Sequence, residues 1–289
     1  MIHKTYQLLL TVVLSAVTLA QAHSAQLVII IDDIGNNYPL GNAMVEIDAP
    51  LTLAFLPHTP YAKKLANKAF LQQKEIILHV PMENTIKRAL GPGALTQDLT
   101  ESEFKKTLKQ SIKSIPHIQG VNNHMGSALT QNKQAMKWVM ETLQDEHLYF
   151  VDSLTSPNSV AYKLAQQKGL PSLKRHVFLD NDKSSASLNK QWQQALRIAT
   201  KYGRAILIAH PYTESHTFLA KKIPLLSAQD IEIIPASQLF LQNAWKAFKK
   251  SNQHTDQYAN RYLLHSGKSS QAVSKQPSNN HDLLSKNTH

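Results

Sequence analysis

Residues 27–37 read Leu-Val-Ile-Ile-Ile-Asp-Asp-Ile-Gly-Asn-Asn, and the fold is decided there. Five consecutive apolar residues, four of them β-branched, predict a buried strand. The run stops at two carboxylates followed by turn-forming residues, so an apolar strand delivers two acids to its carboxyl end. Similar short runs follow at 51–56, 75–80, 120–124, 148–151, 175–179, 204–209 and 231–234. Between them lie helix-like segments at 60–73, 102–114, 133–145, 159–167 and 187–201, each long enough for a crossover connection. Thr100 and Glu103 bracket one helix start as a capping box.

Strand and helix alternating at this spacing predict parallel strands. Eight such strands in about 215 residues predict a compact, distorted (β/α) barrel; an open doubly wound sheet is the alternative. Both architectures put ligands at the carboxyl ends of the strands. The sequence divides into a leader at 1–22, a barrel domain at 23–250 and a polar tail at 251–289, rich in Ser, Asn, Gln, Lys and His, that is expected to be disordered. Lys4, the apolar run Leu8 to Ala20 and the small-x-small pattern Ala20-Gln21-Ala22 are the marks of a cleaved secretory signal. That run is shorter than the roughly 20 apolar residues a membrane span needs. With no second such run, the mature chain is expected to be secreted or periplasmic, without a transmembrane span.

The absence of cysteine excludes disulfides, zinc-thiolate sites and thiol nucleophiles. A net charge of +11 favours anionic envelope polymers over nucleic acid once export is assumed, although excess lysine also serves solubility. The four tail histidines are expected to be incidental.

Ionisable residues recur at the predicted strand ends: Asp32-Asp33, His79, His124, Asp152, Asp180 and His210. Such residues are poor strand formers. Any one of these histidines alone reads as a buried imidazole bonded to backbone, but the group together points to a site. One carboxylate with two imidazoles is a favoured ligand set for zinc or a similar divalent ion, and Asp33, His79 and His124 supply it. An ion held this way activates water and polarises a carbonyl, the requirements of amide or ester hydrolysis. Asp32 is then the expected general base and His210 the expected acid at the leaving group. Glu83 is the other candidate ligand, or a partner for a substrate hydroxyl. Arg175 is placed to orient Asp32 or neutralise Asp180, unless it forms an ordinary surface pair. Tyr38, Tyr61 and Tyr212 stand near strand ends, as sugar platforms or as packing residues.

The ordered set VIIIDDIGNN (28–37), EIILHVPME (75–83), NNHMGS (122–127), FVDS (150–153) and LIAHP (207–211) resembles the divergent polysaccharide deacetylases, distant relatives of the NodB-homology carbohydrate esterases. The resemblance spans roughly residues 26–240. It implies a distorted (β/α) barrel acting on an N- or O-acetylated sugar polymer, which in an envelope compartment suggests peptidoglycan or another N-acetylhexosamine glycan. It assigns Asp32 as base, Asp33 as metal ligand and His210 as acid, the last with one extra residue in the leucine-x-histidine spacing. The family's His-x-x-x-His reads here as His79-Val-Pro-Met-Glu83. His124, from the next strand, is the expected replacement for the missing histidine. The broken motif keeps open a second expectation, a catalytically inactive saccharide-binding protein on the same barrel. A third is a glycoside hydrolase using Asp32 with Asp152 or Asp180, against which the clustered histidines argue.

Overall fold

The structure is a computed structural model that describes residues 24–241; the leader expected at 1–22 and the tail expected at 251–289 lie outside them. The strands are β1 (Ala25–Ile34), β2 (Thr52–Phe55), β3 (Glu75–Met82), β4 (Gly120–Met125), β5 (Tyr149–Asp152), β6 (Ser172–Lys174), β7 (Val177–Phe178), β8 (Arg204–Ala209) and β9 (Ile231–Ile233). The helices are α1 (Tyr38–Val45), α2 (Ala62–Leu71), α3 (Glu101–Ser114), α4 (Lys133–Asp145), α5 (Ala161–Gln167), α6 (Ser185–Tyr202) and α7 (Thr213–Lys222). All strand pairs are parallel, in the order β6-β5-β4-β3-β2-β1-β8-β7, with β9 on β1.

From β1 to β6 the strands succeed one another in one direction, so the sheet lacks the reversal that defines a doubly wound fold. Its two edges, β6 and β7, are separated by only Arg175 and His176. Arg175 N–H donates to Asp152 of β5, and His176 N–H to Ile206 of β8, both at 2.9 Å. One short run of chain therefore leaves one neighbour and joins the other. The sheet curls into the distorted (β/α) barrel that the strand spacing predicts.

Side-chain parity sorts the core. On β1, Leu27, Ile29 and Ile31 pack outward among helix residues, whereas Val28 and Ile30 join an inner cluster with Ala54, Ile77, Tyr149, Val151, Ile206 and Ile208. That inner cluster contains no residue of α1 to α7, as expected of a barrel lumen wrapped by helices. Gly120 is glycine because a Cβ there would meet the Tyr149 ring at 2.5 Å.

Sequence reading missed β6, α1 and α7. In α1 the turn-forming Asn37 and Pro39 serve as helix start signals: the Asn37 side chain accepts from Leu40 N–H, and proline occupies the first turn. Helix α7 has no side-chain cap, and Glu214 in its first turn is a weak start signal by itself. The capping box of α3 forms as expected from Thr100 and Glu103. Among the described residues no helix is long and apolar enough to cross a membrane.

Ile234, Ala236 and Leu239 close the floor of the barrel. A buried carboxylate fastens this segment: Glu75 accepts from Thr52 Oγ1 at 2.6 Å and from Ser237 N–H at 3.0 Å. Burial pushes its pKa up, against the two hydrogen bonds. Glu75→Ala, which leaves buried donors unpaired, is expected to destabilise the fold by about 2 kcal/mol. The neutral Glu75→Gln should cost clearly less in urea unfolding, and equal losses for the two would show that packing alone matters.

Candidate active site

The same parity carries three inner rows up to the carboxyl ends of their strands. Val28 and Ile30 lead to Asp32, Ile77 to His79, and Ile206 and Ile208 to His210. Along β4 the alternate positions are Gly120, Asn122 and His124. Asp33 falls on the wrong parity, but the β1–β2 register shifts between Ile31 and Ile34, and Asp33 has a left-handed φ of 58°. This bulge turns both adjacent carboxylates into the site. The turn that follows needs Gly35, which has φ 138° and would place a Cβ 2.1 Å from Thr59 Oγ1.

Asp33, His79 and His124 meet. Asp33 Oδ1 lies 2.8 Å from His124 Nδ1 and 3.1 Å from His79 Nε2, and the two nitrogens are 3.2 Å apart. Asp33 Oδ1 is buried, yet neither imidazole is aligned to give it a well-formed hydrogen bond. Three ligand atoms thus converge, and although the two nitrogens can share a hydrogen bond, Asp33 Oδ1 is left without one. Zinc with bonds of about 2.0–2.1 Å holds tetrahedral ligand atoms about 3.3 Å apart, so this triangle fits one face of a divalent-ion site. Among the described residues these three form the His/Asp group able to hold a metal. Glu83 is not part of it: its carboxylate accepts from Gln97 N–H at 2.9 Å and pairs with Lys87 at 3.5 Å.

Asp32 is 2% exposed and 3.7 Å from His79 Nε2. Burial drives its pKa upward, opposed by the nearby His79 and His210. Asp33 shifts the other way: burial is outweighed by contacts with His124 and His79, and its pKa falls well below the usual carboxylate range. Two adjacent acids therefore differ, one prone to hold a proton and one a permanent anion.

Asn122 connects the two halves of this arrangement. Its Nδ2 donates to Asp32 Oδ1 at 2.7 Å, and its Oδ1 lies 2.7 Å from His79 Nδ1. An amide oxygen only accepts, so His79 carries its proton on Nδ1 and turns the Nε2 lone pair toward Asp33 and His124. Sequence reading passed over Asn122 because asparagine is not ionisable; its parity with His124 was the available signal. Asn122→Leu, which removes both bonds at similar volume, is expected to weaken zinc binding about 10- to 100-fold. Competition with a chelating dye measures it, and unchanged affinity would refute the positioning role.

On the opposite edge of β1, β8 presents His210. Its Nδ1 lies 2.8 Å from Asp180 Oδ1, while Asp180 Oδ2 accepts from His210 N–H at 2.7 Å and Ser215 Oγ at 2.6 Å. Burial opposes protonation of His210, but Asp180 outweighs it and raises the pKa to about 9. Asp180 thus positions His210. Asp152 caps its own loop, accepting from Leu154 N–H, Ser159 Oγ and Tyr162 N–H. Arg175 donates to the carbonyls of Ser153 and Leu154 at 2.7 and 2.8 Å and stacks 3.8 Å over Phe178. Its ring partner in turn stacks on His210, with centroids 6.0 Å apart. Tyr212 also borders His210, at 5.7 Å between ring centroids, whereas Tyr38 and Tyr61 pack edge-to-face on each other at 5.7 Å. A cavity of about 400 Å³, lined by Asp33 and His124 together with Leu56, Pro57, Pro81 and Leu90, opens beside the triangle.

A family model described as divergent polysaccharide deacetylase matches residues 29–240. The uncharacterized protein YibQ of Escherichia coli strain K12 is 32% identical over 216 residues, which are 75% of this chain and 67% of that protein. An uncharacterized protein of Haemophilus influenzae strain Rd is likewise 32% identical over 216 residues, covering 75% of this chain and 77% of the relative. Among solved structures, an uncharacterized protein of Agrobacterium tumefaciens C58 superposes with a TM-score of 0.73 at 24% identity, over 76% of this chain and 91% of that one. That last similarity speaks to the fold.

Proposed function

Because the chain belongs to the divergent polysaccharide deacetylase family, we propose that it is a metal-dependent hydrolase that removes acetyl or other acyl groups from an envelope carbohydrate after export. Peptidoglycan or another N-acetylhexosamine glycan is the proposed substrate, and zinc the proposed ion. The observation that carries this reading is the convergence of Asp33 Oδ1, His79 Nε2 and His124 Nδ1 beside a second, more weakly acidic carboxylate.

A divalent ion bound by these three residues supplies a water of lowered pKa and an electrophile for the acyl oxygen. The chain's own residues do the rest. Asp32, its carboxylate oriented by Asn122, takes the proton of the attacking water. His210, with Nδ1 held by Asp180, delivers a proton from Nε2 to the departing amine or alcohol. The apolar wall of the adjoining cavity accepts the acyl methyl group and excludes competing water.

The test is acetate release from N-acetylglucosamine oligomers by the full chain, stripped with a chelator and then reloaded with zinc. Activity lost on stripping and regained with zinc is expected. Glycan binding with no acetate from the reloaded chain would instead make it an inactive saccharide-binding protein. The pH profile tests the acid. The protonated His210 is present below its pKa and lost as pH rises through it, so kcat should fall on an alkaline limb at or below about pH 9. A bound cation nearby moves that limb down, and a rate still rising beyond pH 10 would exclude His210 as the acid.

A further inference from the structure

Beside the site cavity lies a second one of about 620 Å³, lined by Glu83, Asn84, Lys87, Arg88, Thr96 and Asp98 among others. The two cavities share Ala89, Leu90 and Gly91 as a common wall. That wall belongs to a loop whose ends are fastened together: Glu83 N–H donates to Leu95, and Leu95 N–H to Pro81, both at 2.9 Å. The loop is also tied to the segment after His124. Glu83 C=O accepts from Ala128 and Leu129 N–H, and Thr85 N–H donates to Ser127 Oγ at 3.0 Å. The outer cavity is thus built on the same support as a metal ligand.

Within the loop, a buried amide fixes the backbone of one exposed arginine. Asn84, 5% exposed, accepts from Arg88 N–H and donates to Arg88 C=O, each at 2.9 Å, and also reaches Met125 Sδ beside His124. Lys87, between them, takes a left-handed φ of 56°, a conformation a non-glycine residue adopts at some cost. The two acids of the cavity already have partners: Glu83 holds Gln97 and Lys87, and Asp98 accepts a side-chain bond from Thr96. The Arg88 guanidinium forms no ion pair among the described residues. The Asn84 amide thus holds the Arg88 backbone at the rim of the outer cavity, and the side chain that lines it there is a guanidinium without an ion pair, free to take a carboxylate through two parallel N–H bonds.

We infer that this outer cavity is a subsite for a carboxylate, and that the chain deacylates an acidic glycan whose carboxylate lies on a sugar neighbouring the acylated one. The inference rests on the deacylase reading and names the substrate class of that same site. Arg88 binds the carboxylate and so sets which acylated sugar stands at Asp33 and His124.

Two soluble N-acetylglucosamine polymers, carboxymethyl chitin and the neutral glycol chitin, test it with the full chain. Arg88→Gln is expected to weaken binding of carboxymethyl chitin about five- to tenfold while leaving glycol chitin unchanged. Lys190→Gln, the same change of charge at another exposed position, should alter neither. Equal affinity of wild type and Arg88→Gln for carboxymethyl chitin, or a loss equal for both polymers, overturns the subsite. Acetate release is followed separately. If neither polymer yields acetate while the Arg88-dependent preference persists, the deacylase reading fails and the carboxylate subsite stands.

Discussion

Asp33→Ala is expected to lose bound metal and to lower acetate release by on the order of 10³ or more. Asp33 Oδ1 is the atom to which both imidazole nitrogens converge, at 2.8 and 3.1 Å, and it is buried. Removing it leaves two imidazoles, with His79 still oriented by Asn122, and takes away the anion of the set that offsets the charge of a divalent ion. The carboxyl is also an anion at any working pH, since the histidines hold its pKa far down, so the loss should not be rescued by raising the pH. Elemental analysis of the full chain, compared with His124→Ala, measures the effect directly. One equivalent of zinc retained in Asp33→Ala would mean that the ligands lie elsewhere.

Asp32→Asn should give the complementary result: metal retained, with kcat lowered about 10²- to 10⁴-fold, the usual contribution of a positioned base. Asparagine is isosteric, and its amide oxygen still accepts the Asn122 Nδ2 bond now made to Asp32 Oδ1. The geometry of His79 is therefore preserved while the proton acceptor is lost. Burial raises the Asp32 pKa against the pull of His79 and His210, which brings a carboxylate closer to the basicity that proton abstraction requires. On the acid side, turnover should fall as Asp32 takes up its proton, and this limb should disappear in the variant. Full activity in Asp32→Asn would remove Asp32 from the mechanism and leave the attacking water without the base proposed for it.

Taken together, the two variants separate binding from chemistry. Loss of metal and rate in one, and loss of rate alone in the other, is the pattern expected if the adjacent acids divide the work. Their difference originates in the backbone. An uninterrupted strand would send Asp32 inward and Asp33 outward, and the bulge at the end of β1 brings both to the same side.

The architecture was legible because a barrel strand is a local object. A run such as Leu27 to Ile31 is apolar on both faces, and its alternation with helix-like segments leaves few ways to bury both. Where local signals conflicted, reading failed: the Asn-Asn-Tyr-Pro start of α1 resembles a loop, and β6 is three residues long. Asp32, Asp33, His79, His124 and His210 could be singled out because ionisable residues are rare at the ends of apolar strands, and their common parity follows from the two-residue repeat.

What the sequence could not decide were the partnerships. Asp152 and Asp180 look alike in it, each an acid after an apolar run, yet one caps its own loop and the other holds His210. Glu83 stands four residues beyond His79 and reads as a candidate ligand, and only the loop that folds back through Gln97 and Lys87 accounts for its carboxylate. Asn122 carries no charge to draw attention, and its role exists only because β1, β3 and β4 bring Asp32 and His79 within reach of one amide. The sequence determined the strands, their inward faces and the set of polar residues at their ends, because these depend on periodicity along the chain. The tertiary structure alone decided which of those residues touch, because contacts between strands 43 to 90 residues apart depend on how the sheet curls and not on any local pattern.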